Sequence, residues 1–226
     1  MLESKEYAPQ RAEMVEKQLR RRGIEDTCVL GAMLAVPRHE FVPEELRARA
    51  YEDVPLPIGS GQTISQPYIV AAMTAALRLQ PTDRALEIGA GCGYQAAVLS
   101  LLAKEAFTIE RRAELALAAS ERLERLGYLN VHVHCGDGTL GLPELAPFDA
   151  ILVAAAAPAP PQPLLAQLAE GGRMIIPVGD SDNQELQLIE KRAASFPPKC
   201  WKAAASCRSL AITPGRSLPN DERNQP

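Results

Sequence analysis

One short stretch limits what this chain can become. Ala85-Leu-Glu-Ile88 suits a buried strand, Gly89-Ala-Gly-Cys-Gly93 alternates glycine with small residues, and an apolar helical run begins at Tyr94. A strand that passes through a glycine turn into a helix is the opening unit of an open, parallel α/β sheet. The rhythm continues downstream. Residues 106–110 read as a second strand, 113–126 as a long helix stopped by Gly127, and 131–134 as a third strand. Residues 149–153 form a fourth, apolar enough to be buried on both faces. A short helix over 163–169, a strand over 173–176 and a weaker strand over 185–189 follow. Such alternation demands right-handed crossovers. The expected fold is therefore α/β, a doubly wound, mostly parallel Rossmann-like sheet with helices on both faces.

Upstream of this core the pattern is helical. Ala12, Val15, Leu19, Val29, Leu30, Met33 and Leu34 recur at helical spacing, broken at Gly23. Pro55-Leu-Pro-Ile-Gly-Ser-Gly61 reads as a loop, and Ser65-Gln-Pro67 as a helix start, with Ser65 the cap and the helix running to Leu79. The expected organisation is one domain over residues 1–192, comprising a helical N-terminal extension (1–80) and a core (81–192). Residues 193–226 form an atypical tail rich in Ala, Ser and Pro, expected to be partly disordered, above all over 214–226.

Composition removes several function classes. The net charge is −4, so no broad nucleic-acid face is expected, and Arg20, Arg21 and Arg22 read as the solvated side of a helix. The five cysteines are odd in number, spread out and lack a C-x-x-C pair, which argues against a disulfide framework or a zinc site. No stretch is long and apolar enough to span a bilayer. The expected location is the cytoplasm. His132 and His134 form H-x-H on one strand but lack further ligands nearby, so no metal is expected.

The glycine turn also narrows the ligand. A dinucleotide fingerprint, G-x-G-x-x-G, would need a third glycine at position 94, which is Tyr94; here Gly89, Gly91 and Gly93 are spaced G-x-G-x-G. Glu87 precedes them and would repel a pyrophosphate. S-adenosyl-L-methionine has no phosphate and carries an ammonium and a sulfonium, which an acidic first loop suits. Glu110 ends the next strand, placed to accept from both hydroxyls of a ribose. Asp137 and Gly138 follow the third strand; Asp-Gly alone is commonly just a turn, but in S-adenosyl-L-methionine-dependent methyltransferases, which this glycine pattern resembles, an acid here takes the adenine amino group. Cys92, inside the loop, reads as a small filler.

Four stretches together carry a more specific resemblance: Val36-Pro-Arg-His-Glu-Phe-Val42, Leu56-Pro-Ile-Gly-Ser-Gly-Gln-Thr-Ile-Ser-Gln-Pro67, Leu86-Glu-Ile-Gly-Ala-Gly-Cys-Gly-Tyr-Gln-Ala-Ala97, and Gly136-Asp-Gly-Thr-Leu-Gly141 with Ala146-Pro-Phe-Asp149. They resemble the protein-L-isoaspartate (D-aspartate) O-methyltransferase family over residues 14–192, the stretch from Gly59 to Pro67 being the most specific. The resemblance implies a class I fold dependent on S-adenosyl-L-methionine. It implies Ser65 as the active-site serine, with Gln62, Thr63 and Ile64 in a loop covering cofactor and substrate. Gly89, Gly91 and Gly93 would line the methionine portion, Glu110 the ribose, and Asp137 with Gly138 the adenine.

The implied partners are isoaspartyl-containing proteins and peptides, with no nucleic acid or membrane partner and the chain acting as a monomer. The implied reaction methylates an isoaspartyl, and less readily a D-aspartyl, carboxylate, starting repair through a succinimide. A carboxylate is already ionised at neutral pH and needs no general base, so Ser65 would position it rather than act as a nucleophile. The sequence departs from the family pattern in two places: Ala154 stands where the family tends to have Thr, and residues 193–226 do not follow the expected strands. A methyltransferase for another acceptor and a cofactor binder with impaired turnover are the competing readings. A nicotinamide-dependent dehydrogenase lacks its third glycine.

Overall fold

The computed structural model describes residues 6–180, 183–192 and 198–200. The chain opens with α1 (Ala8–Glu13), whose helical course continues through a wider turn over Met14–Leu19 and a tighter one over Arg20–Arg22. Gly23, at φ 92°, ends it, as only glycine does readily. The helix α2 (Thr27–Ala35) starts at Asp26, whose carboxylate accepts the N–H groups of Cys28 and Val29.

The segment whose composition reads as a loop is an antiparallel hairpin, β1 (Leu56–Gly59) and β2 (Gln62–Ile64). Its turn sets Ser60 at φ 50° and Gly61 at φ 67°, and two successive left-handed residues match the twist of a two-residue hairpin. Next comes α3 (Pro67–Leu77), and here one expectation fails. The cap residue is Gln66, not Ser65, and no side chain caps the helix. Pro67 occupies the first helical position and keeps the residue before it extended, so Ser65 lies one residue too early.

The core follows as β3 (Arg84–Ile88), α4 (Tyr94–Ser100), β4 (Glu105–Glu110), α5 (Ala113–Leu126), β5 (Val131–Cys135), β6 (Phe148–Val153), α6 (Gln162–Ala166), β7 (Leu168–Gly179), β8 (Gln184–Glu190) and β9 (Pro198–Cys200). The strands form one sheet in the order β5-β4-β3-β6-β7-β8-β9. Pairings from β5 through β7 are parallel, and those to β8 and β9 are antiparallel. The chain winds outward from β3 to β5, then crosses back to place β6 on the other side of β3. That reversal opens a crevice at the carboxyl ends of β3 and β6, where open α/β sheets bind ligands.

Strand alternation divides the core. Ala85, Ala150 and Leu152 pack with α3, α4 and the N-terminal helices, whereas Leu86, Ile151 and Val153 face the side that holds Leu164 and Leu165 of α6. The first face is rich in alanine, including Ala96 and Ala97 of α4, so the helices lie close to the sheet. Beyond Arg192, Pro198–Cys200 pairs with β8 through Ile189↔Pro198, Leu188↔Lys199 and Gln187↔Cys200. The expectation of disorder over 214–226 lies outside the described residues. Among the described residues, no helix is long and apolar enough to cross a membrane.

Candidate active site

A cleft of about 950 Å³, its mouth included, opens at the carboxyl ends of β3, β4 and β6. Its floor is the glycine turn. The N–H groups of Gly89 and Ala90 both donate to the Ile109 carbonyl, at 2.8 and 3.3 Å, tying the turn to β4. Gly89 (φ 98°) and Gly91 (φ 53°) hold backbone that side chains disfavour, and it forms part of the cleft wall.

Two carboxyl groups reach this floor. Glu110, at the end of β4, accepts the Gly91 N–H on one oxygen and the Arg112 N–H on the other, each at 3.0 Å. Glu87 pairs across the strands with Thr108, whose hydroxyl donates to it at 2.6 Å. Burial pushes Glu87 up to about 8; the Thr108 hydroxyl offsets part of this and the charge of Glu110 adds to it. Glu87 therefore favours its protonated form at neutral pH. None of the described residues lining the cleft is Lys, Arg or His.

The facing wall is built by β2 and the residues around it, Gly61, Gln62, Thr63, Ile64 and Ser65. Behind them lie Ile69, Val70 and Met73 of α3 and Tyr94 and Gln95 of α4. The Gln95 amide donates to the Thr74 hydroxyl at 2.9 Å, which in turn donates to the Val70 carbonyl at 2.8 Å. Ala154 closes the β6 side, its N–H bonded to the Ile88 carbonyl at 2.9 Å; no hydroxyl stands there. Cys92 also lines the cleft, and burial pushes its thiol up, so it stays protonated and unreactive.

Eight of the eleven residues singled out in the sequence line this one cleft: Gln62, Thr63, Ile64, Ser65, Glu87, Gly89, Gly91 and Glu110. Three do not. At Gly93 a Cβ would come within 3.0 Å of Leu123 Cδ1 and 3.4 Å of Ala119 Cβ, so that glycine lets α5 pack against the turn. Asp137 is exposed, and its carboxylate accepts the Thr139 N–H (3.0 Å) and hydroxyl (2.8 Å), capping a short turn. Gly138 crosses the end of β3 so tightly that a Cβ would meet Ile88 Cγ2 at 2.5 Å. Asp137 and Gly138 lie beyond the carboxyl end of β5, on the same edge of the sheet as the cleft. His132 stacks on Phe107, and the described residues contain no cluster fit to hold a metal.

Sequence reading missed the apolar back wall and Gln95. The signal was present: Ile69, Val70 and Met73 share one face of α3, and Gln95 is a polar residue on an otherwise apolar first turn. It also missed Arg38, which is fully buried and donates to the Ser65 carbonyl at 2.7 Å.

Known proteins share both sequence and shape. The family model for protein-L-isoaspartate(D-aspartate) O-methyltransferase matches residues 10–211, a wider span than the four motifs alone. The protein-L-isoaspartate O-methyltransferase 1 of Syntrophobacter fumaroxidans is 60% identical over 180 residues, covering 80% of this chain and 84% of that protein. A solved protein-L-isoaspartate O-methyltransferase superposes with a TM-score of 0.75 at 32% identity, over 84% of this chain and 63% of that one. A Plasmodium falciparum structure of the same description, in complex with S-adenosyl-L-homocysteine, superposes with a TM-score of 0.74 at 28% identity, over 84% of this chain and 94% of that one. With the family model matched over most of its length and a relative this similar, the chain belongs to the protein-L-isoaspartate (D-aspartate) O-methyltransferase family.

Proposed function

We propose that this chain transfers the methyl group of S-adenosyl-L-methionine to the side-chain carboxylate of L-isoaspartyl, and less readily D-aspartyl, residues in damaged proteins. One observation carries the reading: the motif loop ending at Ser65 and the glycine turn face each other across one cleft. The residues fit the cofactor. Exposed backbone at Gly89 and Gly91, two carboxyl groups and no basic side chain among the described lining residues suit a cationic, phosphate-free nucleoside. When bound, it supplies an electrophilic methyl group on a sulfonium.

The chain's own residues then bind, orient and exclude water. Glu87 answers the cationic end, and Glu110, already fixed by two backbone N–H groups, offers its carboxylate to the ribose. Asp137 and Gly138 take the adenine edge. Gln62, Thr63 and Ile64 cover the site, and Ser65 donates a hydrogen bond that holds the acceptor carboxylate in line. No general base is required, because the acceptor has already lost its proton at neutral pH. The contribution comes from alignment and from a partly dry cleft, with Ile69, Val70 and Met73 as its apolar side. The methyl ester is a better leaving group than the carboxylate, so the neighbouring backbone nitrogen closes a succinimide and expels methanol without further help. On the same reading the chain acts as a cytoplasmic monomer, with residues 1–192 as one methyltransferase domain; Cys28, Cys92 and Cys135 are free thiols, as in a reducing compartment.

The test is transfer of radiolabelled methyl to an isoaspartyl peptide and to its normal aspartyl twin. Base-labile label is expected on the isoaspartyl peptide alone, and equal labelling of both would reject the proposed specificity. Ser65→Ala should lower kcat/KM at least about tenfold, the loss of one charge-assisted hydrogen bond, while cofactor affinity stays within about twofold. Equal loss of both would reject the substrate role of Ser65.

A further inference from the structure

A buried cation stands behind Ser65, and the mechanism above makes no use of it. Arg38 has no exposed surface. Its Nε donates to the Ala50 carbonyl and its Nη2 to the Ser65 carbonyl, both at 2.7 Å. Its guanidinium carbon lies 4.8 Å from the centre of the Tyr94 ring, and Nη1 has no partner among the described residues. A buried charge without a counter-ion is costly, and two carbonyls and one aromatic face offset only part of that. An unbranched apolar side chain would avoid the cost of burying a charge, so packing alone does not explain the arginine.

The residues it joins do. Ser65 ends the covering segment on the acceptor side of the cleft. Tyr94 opens α4 directly after the glycine turn, on the cofactor side. We infer that Arg38 is a positioning residue, fastening the Ser65 backbone against the helix that follows the glycine turn and so setting the gap between acceptor carboxylate and methyl donor. In-line displacement is sensitive to such a gap: a misplacement of about 1 Å can cost about 100-fold in rate. A planar fork suits this task better than a point charge, since it holds two carbonyls in one plane. The inference rests on Ser65 contacting the acceptor carboxylate, as proposed above.

Two variants test it, each assayed for S-adenosyl-L-homocysteine binding by calorimetry and for methyl transfer to an isoaspartyl peptide. Arg38→Met keeps an unbranched apolar stem but removes fork and charge; Arg38→Lys keeps the charge but not the fork. Either folded variant should bind the cofactor within about twofold of wild type and lose at least about tenfold in kcat/KM for the peptide, no more than Ser65→Ala itself loses. In a Ser65→Ala background the same change should cost no more than about twofold further, because its effect runs through Ser65. Full multiplication of the two losses would overturn the inference. So would failure of both variants to fold, since the arginine would then hold the fold rather than the loop. A wild type that labels the peptide, with Arg38→Met equally fast, overturns this inference alone. A wild type that leaves the peptide unlabelled overturns the functional reading, and this inference with it.

Discussion

Glu87 and Glu110 sit on neighbouring strands at the floor of one cleft, yet their surroundings differ. Glu110 is held as an acceptor by two N–H groups. Glu87 has one hydroxyl donor and burial pushes it up to about 8, against an ordinary value of 4.5. Between those values the unfolded chain is ionised at this position and the folded chain is not. The folded state then binds the extra proton, so its stability falls as pH rises through the window. Glu87→Gln imitates the protonated form. It should match the parent in urea unfolding near pH 4.5 and exceed it near pH 8, the two ends of that window.

Cofactor binding should show the opposite preference. A cationic ligand favours ionised Glu87, so binding expels a proton and affinity rises with pH up to about 8, then levels. Calorimetry in two buffers of different ionisation heat reads the proton released. Affinity that stays flat from about pH 6 to pH 8 would remove Glu87 from the cation's surroundings.

At the scale of elements, Gly93 lets two helices dock. Its φ of 88° and the 3.0 Å approach of Leu123 to its missing Cβ both come from α5 lying against the turn. Gly93→Ala should therefore destabilise the fold by roughly 1–3 kcal/mol, through overpacking and a left-handed residue, and leave cofactor affinity nearly intact. Gly91→Ala shares the cost of a left-handed residue, at φ 53°, but its added Cβ would meet only the flexible tip of Ile58, at 3.2 Å; because Gly91 lines the cleft, this variant should lose cofactor affinity, which Gly93→Ala should not. Chemical denaturation and calorimetry on the same two variants decide between the roles; loss of affinity in Gly93→Ala would return it to the ligand.

The alternating elements from β3 to β6 were readable because apolar runs, glycine stops and helical spacing agreed there. The β1–β2 hairpin was not, because Pro55, Pro57, Gly59 and Gly61 carry loop composition while the backbone between them still pairs. Ser65 was misread as a cap because a serine before Pro67 looks like a helix start, and the extended residue forced by the proline is invisible in composition. Arg38 escaped notice for a related reason: an arginine reads as surface until its burial is known. Tertiary placement also separated Gly93 from Gly91, two residues that spacing alone treats as equals.

On the scale of the molecule, the sheet separates binding from lateral support. All the described residues lining the cleft fall between Gly61 and Ala155. The strands beyond, β7, β8 and β9, extend the sheet away from β6 and cover its edge. The last of them, β9, pairs three residues with β8, which carries the buried Leu186, Leu188 and Ile189. A chain ended after Arg192 would leave β8 as a bare apolar edge, the kind of edge that pairs with another chain. It should bind S-adenosyl-L-homocysteine within about twofold of the parent, because no described cleft residue is lost. Its thermal midpoint should fall by several degrees, and light scattering should report self-association that the parent lacks. If cofactor affinity fell with stability unchanged, residues beyond 192 would be reaching the cleft itself, and the division between binding core and supporting edge would have to be redrawn.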